Sequence, residues 1–377
     1  KGPDVNIQDK FGYTALIHAC TKGYVEIVRV LIEKGVDMEI QDTYDYTALI
    51  HACGEGHVDV VRVLIEKGAD VNMQPNNGDT ALIRACSKGR VDVVRVLLDK
   101  GADINIQDIN GYTALLAACG RGHVDVVRIL IEKGADVNVQ TNDGGTALMD
   151  ACGGGHVDVV RVLIEKGADV KVQKIDGNTA LMHACGYGHV DVVRVLIEKG
   201  ADVNIQANNG CTALIYACGE GDVDIVRVLI EKGADVNIHG NEGADDSIHG
   251  NEGADDDVPI YDGQTALMMA CGEGHVDVVR VLIQQGADVN MQTYNGCTAL
   301  IRGCDEGRVD VVRVLLEKGA DMNIQDNNGY TALLAACGGG HVDVVRILFE
   351  KGADVNIQRN NGTTALMTAC GRGHVDV

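Results

Sequence analysis

A tripeptide, Thr-Ala-Leu, recurs along the chain at a fixed spacing, and no other feature limits the fold so strongly. Every step between successive copies is 33 residues long except one of 53. The copies begin at Thr14, Thr47, Thr80, Thr113, Thr146, Thr179, Thr212, Thr265, Thr298, Thr331 and Thr364. A fixed period in this range is typical of stacked-repeat proteins. We therefore predict one repeat array over residues 1–377 instead of several globular domains.

Each repeat predicts two helices. Thr47 can cap a first helix, because its hydroxyl can accept a hydrogen bond from a first-turn amide. Glycines then break that helix, and Asp59 suits the positive end of a second one. Apolar residues from Val60 to Ile65 give the second helix a buried stripe, and Gly68 ends it. The predicted fold class is an all-α repeat solenoid of helix-turn-helix units joined by hairpin-like loops.

The unit resembles the ankyrin repeat, with its Thr-Pro-Leu-His-x-Ala opening, Gly-His turn and Gly-Ala-Asp-Val-Asn close. The resemblance covers essentially the whole chain outside one insertion and implies an ankyrin-type stack. Ala48 stands where the family has Pro, and Ile50 stands where it has His. The first change loosens helix initiation, and the second removes a polar link between neighbouring repeats.

The chain contains ten repeats with both helices and an eleventh repeat that is cut short. Residues 1–8 match the end of a unit, and residues 373–377 match the start of a second helix. Native solenoids cover their terminal apolar faces with polar capping repeats, and neither end shows one. We therefore expect a fragment of a longer chain, or an open array. No signal peptide or membrane span is visible in the sequence.

Residues 238–257 form an acidic, Gly-rich insertion in the loop between repeats seven and eight. The segment is a direct duplication of ten residues, with seven acidic residues and no Lys or Arg. Its carboxylates suggest a calcium loop, but their spacing matches no EF-hand. We prefer a tolerated, solvated duplication that the stack absorbs at a loop.

The charge of the chain limits its partners. The net charge is −23, from 55 acidic and 32 basic residues. A surface this acidic repels nucleic acid phosphates and anionic lipids, so we expect neither nucleic acid binding nor membrane insertion. The negative charge is explained by the solubility that it gives, or alternatively by a protein partner with a basic surface. We expect the chain to be a monomer that binds other proteins.

The cysteines occupy a repeated position that predicts burial, not bonding. Stacked helices lie about 8 to 10 Å apart, which exceeds the reach of a disulfide. The column contains Cys20, Cys53, Cys86, Cys119, Cys152, Cys185, Cys218, Cys271, Cys304, Cys337 and Cys370. Cys211 and Cys297 precede a Thr and are expected to be exposed. So many free thiols fit an intracellular, cytoplasmic location. The turn histidines recur once per repeat, too sparsely for a metal site.

The sequence contains no recognisable catalytic, cofactor or metal motif. Equivalent positions, 33 residues apart, place residues of the same type next to each other in the stack. Such an arrangement does not assemble a nucleophile, a base and an orienting group. We therefore expect an interaction scaffold or adaptor and not an enzyme. Two alternatives stay open. The ankyrin resemblance makes Asn72 and Asn138 look like sites of asparaginyl hydroxylation, and the chain could be the recognition part of a larger, even enzymatic, multidomain protein.

Variable positions within the constant framework indicate where a partner binds. The residue four positions after each Thr changes among charged, aromatic and small types, so we expect this column to face solvent in the concave groove that the resemblance implies. Tyrosines gather at the hairpin tips and beside that groove, as in binding surfaces, although some of them could simply pack as staples. The candidate partner-binding residues are Tyr13, Tyr46, His51, Arg84, Tyr112, Asp150, His183, Tyr187, Tyr216, Met269, Tyr294, Arg302 and Tyr330.

Two further expectations concern the second helices. An arginine recurs in each of them, as at Arg62, and we expect neighbouring Asp and Glu side chains to pair with it on a solvated outer face. Phe349 occupies an apolar position of the last complete second helix, and we expect it to lie in the core.

Overall fold

The chain folds into short helices connected by tight turns. The computed structural model describes residues 4–240 and 263–377, so most of the acidic insertion, residues 241–257, lies outside the described residues. Within the described ranges the chain forms 21 α-helices, and its only strand-like pairing is three isolated antiparallel bridges. The predicted all-α repeat fold is confirmed. The contacts divide the chain into two compact units, Lys1–Lys174 and Ile175–Val377.

The first unit contains five helix pairs, and the second continues the same alternation. The helices of the first unit are α1 (Ala15–Lys22), α2 (Val25–Glu33), α3 (Ala48–Glu55), α4 (Val58–Glu66), α5 (Ala81–Ser87), α6 (Val91–Asp99), α7 (Ala114–Cys119), α8 (Val124–Glu132), α9 (Ala147–Gly153) and α10 (Val157–Glu165). Those of the second are α11 (Ala180–Gly186), α12 (Val190–Glu198), α13 (Ala213–Glu220), α14 (Val223–Glu231), α15 (Ala266–Glu273), α16 (Val276–Gln284), α17 (Ala299–Asp305), α18 (Val309–Glu317), α19 (Ala332–Gly339), α20 (Val342–Glu350) and α21 (Ala365–Arg372).

The repeated Thr caps the first helix of every repeat. At α3 the Thr47 hydroxyl accepts a hydrogen bond from the backbone N–H of Ile50 at 3.4 Å. The second helices use another device: an acidic residue such as Asp59 lies in the first turn, where it complements the positive end of the helix dipole. Both predicted helix starts are therefore confirmed, and the fixed caps set the position of every side chain that follows.

The core of each unit is built from the constant apolar positions. In the repeat of α3 and α4, Leu49, Ile50, Cys53 and Leu64 are all buried. The cysteine column is buried as predicted, except that Cys370 in α21 is exposed. All thirteen cysteines are free thiols.

Two predictions about burial are wrong. Cys211 is buried: it stands at the closing position of its hairpin tip, where its carbonyl oxygen accepts a hydrogen bond from the Ala207 N–H and its small thiol is covered. Cys297 is half-buried. Phe349 is 54% exposed and not in the core. Its position lies at the edge of the apolar stripe, where even Ile65 is only half-buried.

Polar side chains link neighbouring repeats within each unit. The turn histidine of one repeat contacts a backbone carbonyl of the repeat before it, as in the 3.1 Å contact of His57 Nε2 with Thr21 O. Asn72 makes a second link, donating to Gly101 O at 3.2 Å and accepting from the backbone N–H of Asp103 at 2.7 Å. These contacts join neighbouring repeats through side chains that lie outside the apolar core.

The same asparagine link continues across the insertion within the second unit. Asn237 donates to Gly286 O at 3.2 Å and accepts from the backbone N–H of Asp288 at 2.9 Å. Helices α13 and α15, the first helices of the repeats before and after the insertion, pack against each other as neighbouring first helices do elsewhere in the unit. The extra residues therefore leave the stacking contacts of the described repeats in place.

The outer arginines differ from expectation. Arg62 is exposed, as predicted. Within the described ranges, however, only two members of this column lie within 4 Å of a carboxylate: Arg29 with Glu26 at 3.9 Å and Arg346 with Asp343 at 3.2 Å. The predicted pairing along the whole column is wrong, because long exposed side chains gain little from such pairs in water.

Candidate partner-binding surface

The residues four positions after each capping Thr form one column on the first helices, called here the inner column. Its members are His18, His51, Arg84, Ala117, Asp150, His183, Tyr216, Met269, Arg302, Ala335 and Thr368. His18 is exposed, but most of the others are half-buried, and Ala335 and Thr368 are buried. Most of the column therefore reaches solvent with part of each side chain, and the prediction that it faces solvent is wrong for Ala335 and Thr368.

A glycine in the preceding first helix explains the half-burial. A Cβ built on Gly54 would lie 3.2 Å from Cγ of Arg84, and one on Gly120 would lie 3.5 Å from Cβ of Asp150. The side chains of Arg84 and Asp150 thus lie over the end of the first helix of the repeat before them. The missing glycine side chain provides the space, so one face of the side chain is covered and the other stays accessible.

Aromatic and histidine rings cluster at the start of the first unit. The rings of Tyr13 and His51 meet edge to face at 5.1 Å, and those of Tyr46 and His51 at 5.8 Å. His51 Nε2 contacts Oδ2 of the buried Asp42 at 2.7 Å. Three predicted site residues therefore form one packed group, and Asp42 is a member that the sequence reasoning missed. An Asp five residues before Thr is its signal, since Asp9, Asp108 and Asp326 recur there.

Arg84 completes a second group in the next repeat. Its guanidinium lies over the Tyr46 ring at 5.0 Å from the ring centre, and its Nη1 lies 3.7 Å from Oδ2 of Asp79. The Tyr46 hydroxyl donates to the same Asp79 oxygen at 2.9 Å. Burial raises the pKa of Asp79 above its ordinary value. The group holds a cation over an aromatic ring and beside a carboxylate, so that a cation–π contact and an ion pair both stabilise it.

Tyr112 and Asp150 line a cavity of about 600 Å³ in the first unit. Ala117 and Gly120 form part of its wall and leave it wide because they carry so few atoms. Burial raises the pKa of Asp150 to about 6, and burial together with the nearby carboxylates raises that of Tyr112 to about 12. The Oδ2 atom of Asp150 is buried and has no hydrogen-bond partner.

The second unit brings three predicted residues around a smaller cavity of about 320 Å³. His183, Tyr187 and Tyr216 line it, together with the acidic Glu220. The Tyr216 hydroxyl donates to Asn178 Oδ1 at 3.1 Å, while Tyr187 is 65% exposed. This cavity offers aromatic surface with a carboxylate at its edge. In the next repeat Met269 lies over Gly219, and its Cε would be 3.4 Å from a Cβ built there.

Further along the second unit, Arg302 lies over Gly272. Its Nε would be only 2.9 Å from a Cβ built on that glycine, and this buried nitrogen has no hydrogen-bond partner. Asp305 follows one turn later, and burial raises its pKa. This part of the inner column therefore also presents a charged group whose bonding capacity the protein itself leaves unused.

The last two predicted residues lie at hairpin tips of the second unit. Tyr294 is 44% exposed, and its ring meets that of His239 edge to face at 5.6 Å. Tyr330 is half-buried under the guanidinium of Arg359, at 3.8 Å from the ring centre. The thirteen candidates thus do not form one patch. The structure gathers them into separate groups of neighbours along each unit.

Among the described residues no group of three or more His, Cys, Asp or Glu side chains is arranged to hold a metal ion. No helix in residues 4–240 or 263–377 combines the length and the hydropathy that crossing a membrane requires.

The repeated geometry agrees with a comparison to known families. A family model described as Ankyrin repeats (3 copies) matches residues 1–75, 36–108, 102–174, 168–239, 246–326 and 318–377. The chain belongs to the ankyrin repeat family. No curated protein matches the sequence. Ankyrin repeats are generally protein-interaction modules, and the inner column is the most variable face of the ankyrin helices described above.

Proposed function

We propose that this ankyrin repeat chain is an interaction scaffold or adaptor that grips a partner protein through its inner column and hairpin tips. One observation carries the proposal: Asp150 Oδ2 and Arg302 Nε are buried polar atoms of the inner column without a hydrogen-bond partner in the protein. Leaving such atoms unpaired costs stability. A partner that supplies the missing bonds would offset that cost.

The variety of the column adds support. The capping Thr and the apolar core repeat almost unchanged, while the inner column changes charge, size and aromaticity from one repeat to the next. Since a rigid framework presents the variable groups, the surface can recognise one partner without altering the fold. The net charge of −23 favours a partner with a basic surface. Free, mostly buried thiols fit an intracellular location, and we place the chain there as a monomer.

Replacing groups of residues tests the proposal. Partners of the full chain are first identified by affinity capture with mass spectrometry, and the affinity of the main partner is then measured with purified proteins. Replacing Arg84, Asp150, Tyr216 and Arg302 together by Ala should weaken binding at least about tenfold, because it removes charged and aromatic contacts. Replacing the outer Arg62, Arg161, Arg194 and Arg280 by Ala is the matched control. Loss of binding in the outer set alone would refute the proposal.

The alternative as a substrate of asparaginyl hydroxylation gains no specific support. The Asn72 side chain bridges two repeats through both its amide N–H and its carbonyl oxygen, and Asn138 donates to Gly167 O and accepts from Asp169 N–H in the same way. An enzyme would have to open these links to reach the side chain. The intact mass after cellular expression tests this alternative, since each modification adds one oxygen atom.

A further inference from the structure

Four tyrosines stand directly before a capping Thr, and three of them have a partner against the ring. The four are Tyr13, Tyr46, Tyr112 and Tyr330. Tyr13 meets the rings of His18 and His51, Tyr46 lies under Arg84, and Tyr330 lies under Arg359. No ring or cation of the described residues covers Tyr112. Its ring is instead part of the wall of the 600 Å³ cavity.

The repeat after each tyrosine explains the difference. Behind Tyr46 the next repeat supplies Asp79 at the position before Thr and Arg84 in the inner column, and together they cover the ring. Behind Tyr112 the equivalent positions are Gly145, which has no side chain, and Asp150. The covering guanidinium is thus missing, and a carboxylate occupies the place from which it would come.

The acidic side chains that line the cavity favour a cation. Asp150 has an unpaired buried oxygen, and Asp79 and Asp108 also line the wall. Lys174, the cation whose charge acts most on Asp150, is already paired with Asp143 at 2.7 Å. Arg121 is the basic side chain in the wall, and it is exposed, so it can turn into solvent when another cation enters. Burial raises the pKa of Asp150 although the charge of Lys174 lowers it, as expected for a buried carboxylate without a cation in direct contact.

We propose that the cavity bounded by Tyr112, Ala117 and Asp150 is a socket for an arginine side chain of the protein partner. The inference rests on the proposed function and adds the chemistry of one contact to it. A guanidinium can lie flat on the Tyr112 ring while its N–H groups donate to the Asp150 carboxylate. Arg84 on Tyr46 shows the same pairing within this chain. The compact ammonium of lysine cannot do both equally well.

Binding of a minimal probe to the full chain tests the socket directly. Nα-acetyl-arginine amide is titrated against protein labelled with ¹³C at the alanine methyl groups, and the signal of Ala117 is assigned by its loss in Ala117→Ser. We expect a saturable shift of the Ala117 methyl signal. Nα-acetyl-lysine amide should bind at least about threefold more weakly. An Ala117 signal that does not respond to arginine, or responds equally to lysine, would overturn the proposal.

Variants then separate the contacts. Asp150→Asn should lower the affinity for the arginine probe at least about tenfold, because a charged hydrogen-bond acceptor is lost. Tyr112→Leu, which keeps apolar bulk but removes the ring face, should also weaken binding. Asp277→Asn in the first turn of α16 is the matched control, with the same change of charge outside the cavity and outside the inner column, and should bind normally. Unchanged affinity in Asp150→Asn would overturn the proposal.

Experiments with the captured partner distinguish failure of the socket from failure of the proposed function. If the fourfold inner-column variant loses the partner while Asp150→Asn and Tyr112→Leu keep full affinity, the socket is wrong and the scaffold function stands. If the fourfold variant keeps the partner, the proposed function itself is wrong. If the socket is right, one arginine of the partner should lose its effect on affinity when Asp150 is already replaced, as a double-mutant cycle measures.

Discussion

Asp150 should make the protein less stable at neutral pH than it would be without the charge. The pKa of this carboxyl group is about 6 in the folded protein against an ordinary value of 3.8, with burial as the main cause. Above pH 6 the group is ionised in both states, and the folded state carries the cost of the buried charge. Since one pKa unit corresponds to about 1.4 kcal/mol, that cost is about 3 kcal/mol at most.

The sign of the pH dependence follows from proton binding. Between pH 6 and pH 4 the folded state holds a proton that the unfolded state has largely released, so stability rises as the pH falls. Asp150→Asn removes the charge, and we expect it to raise the free energy of unfolding by about 1 to 3 kcal/mol at pH 8. The gain should shrink to about 0.5 kcal/mol at pH 4, where the folded wild-type carboxyl group is protonated.

Urea unfolding followed by circular dichroism at several pH values measures this difference. Asp143→Asn provides a control of opposite sign. Hydrogen bonds from Lys174, Thr141 and the Gly145 backbone outweigh desolvation and lower the pKa of Asp143 to about 2. Its contribution to stability is therefore present above pH 4 and is lost as the pH falls towards 2. Asp143→Asn should destabilise the protein at neutral pH. A stability difference between Asp150→Asn and wild type that stays constant from pH 8 to pH 4 would refute the reasoning.

The other predictions concern thiols, turns and the insertion. In the native protein the exposed Cys370 should react first with a thiol reagent, and the buried thiols only on unfolding, as a time course with Ellman's reagent would show. Gly78→Ala should destabilise by about 1 to 3 kcal/mol in urea unfolding, because φ is +77° and the new Cβ would lie 2.6 Å from Asp108 Cα; an unchanged midpoint would contradict this. Deleting residues 238–257 restores the 33-residue step, and helicity and melting temperature should hardly change; a large loss of cooperativity would contradict it.

The repeated part of the structure could be predicted from the sequence because it depends on local rules. A Thr before an apolar run caps a helix, and a small apolar residue at a fixed position in every repeat must lie in the shared core. Thr47 and Cys53 behave as these rules require. Each rule involves residues within one turn of helix or at equivalent positions, so the period alone reveals it.

The candidate site was harder to predict because its contacts join positions that are not equivalent. Tyr46 before one Thr meets Asp79 before the next and Arg84 four residues beyond it. A column-by-column comparison does not show such contacts. The half-burial of the inner column depends on glycines such as Gly54, whose effect lies in the space that they leave for the next repeat. Ala117 is absent from the candidates predicted from the sequence for the same reason. In the inner column it stands between the larger Arg84 and Asp150, and such a small residue is a signal for a cavity.

The asparagine link at Asn237 has a consequence for engineering. The two hydrogen-bond partners of Asn237 lie 49 and 51 positions after it in the chain, whereas those of Asn72 lie 29 and 31 positions after it. The lengths of the hydrogen bonds are nevertheless nearly the same. The link therefore depends on the faces that meet and not on the length of chain between them. The loop that carries the insertion is consequently a suitable insertion site for a fluorescent domain or a second binding module, because the repeats on both sides stay joined by their own contacts.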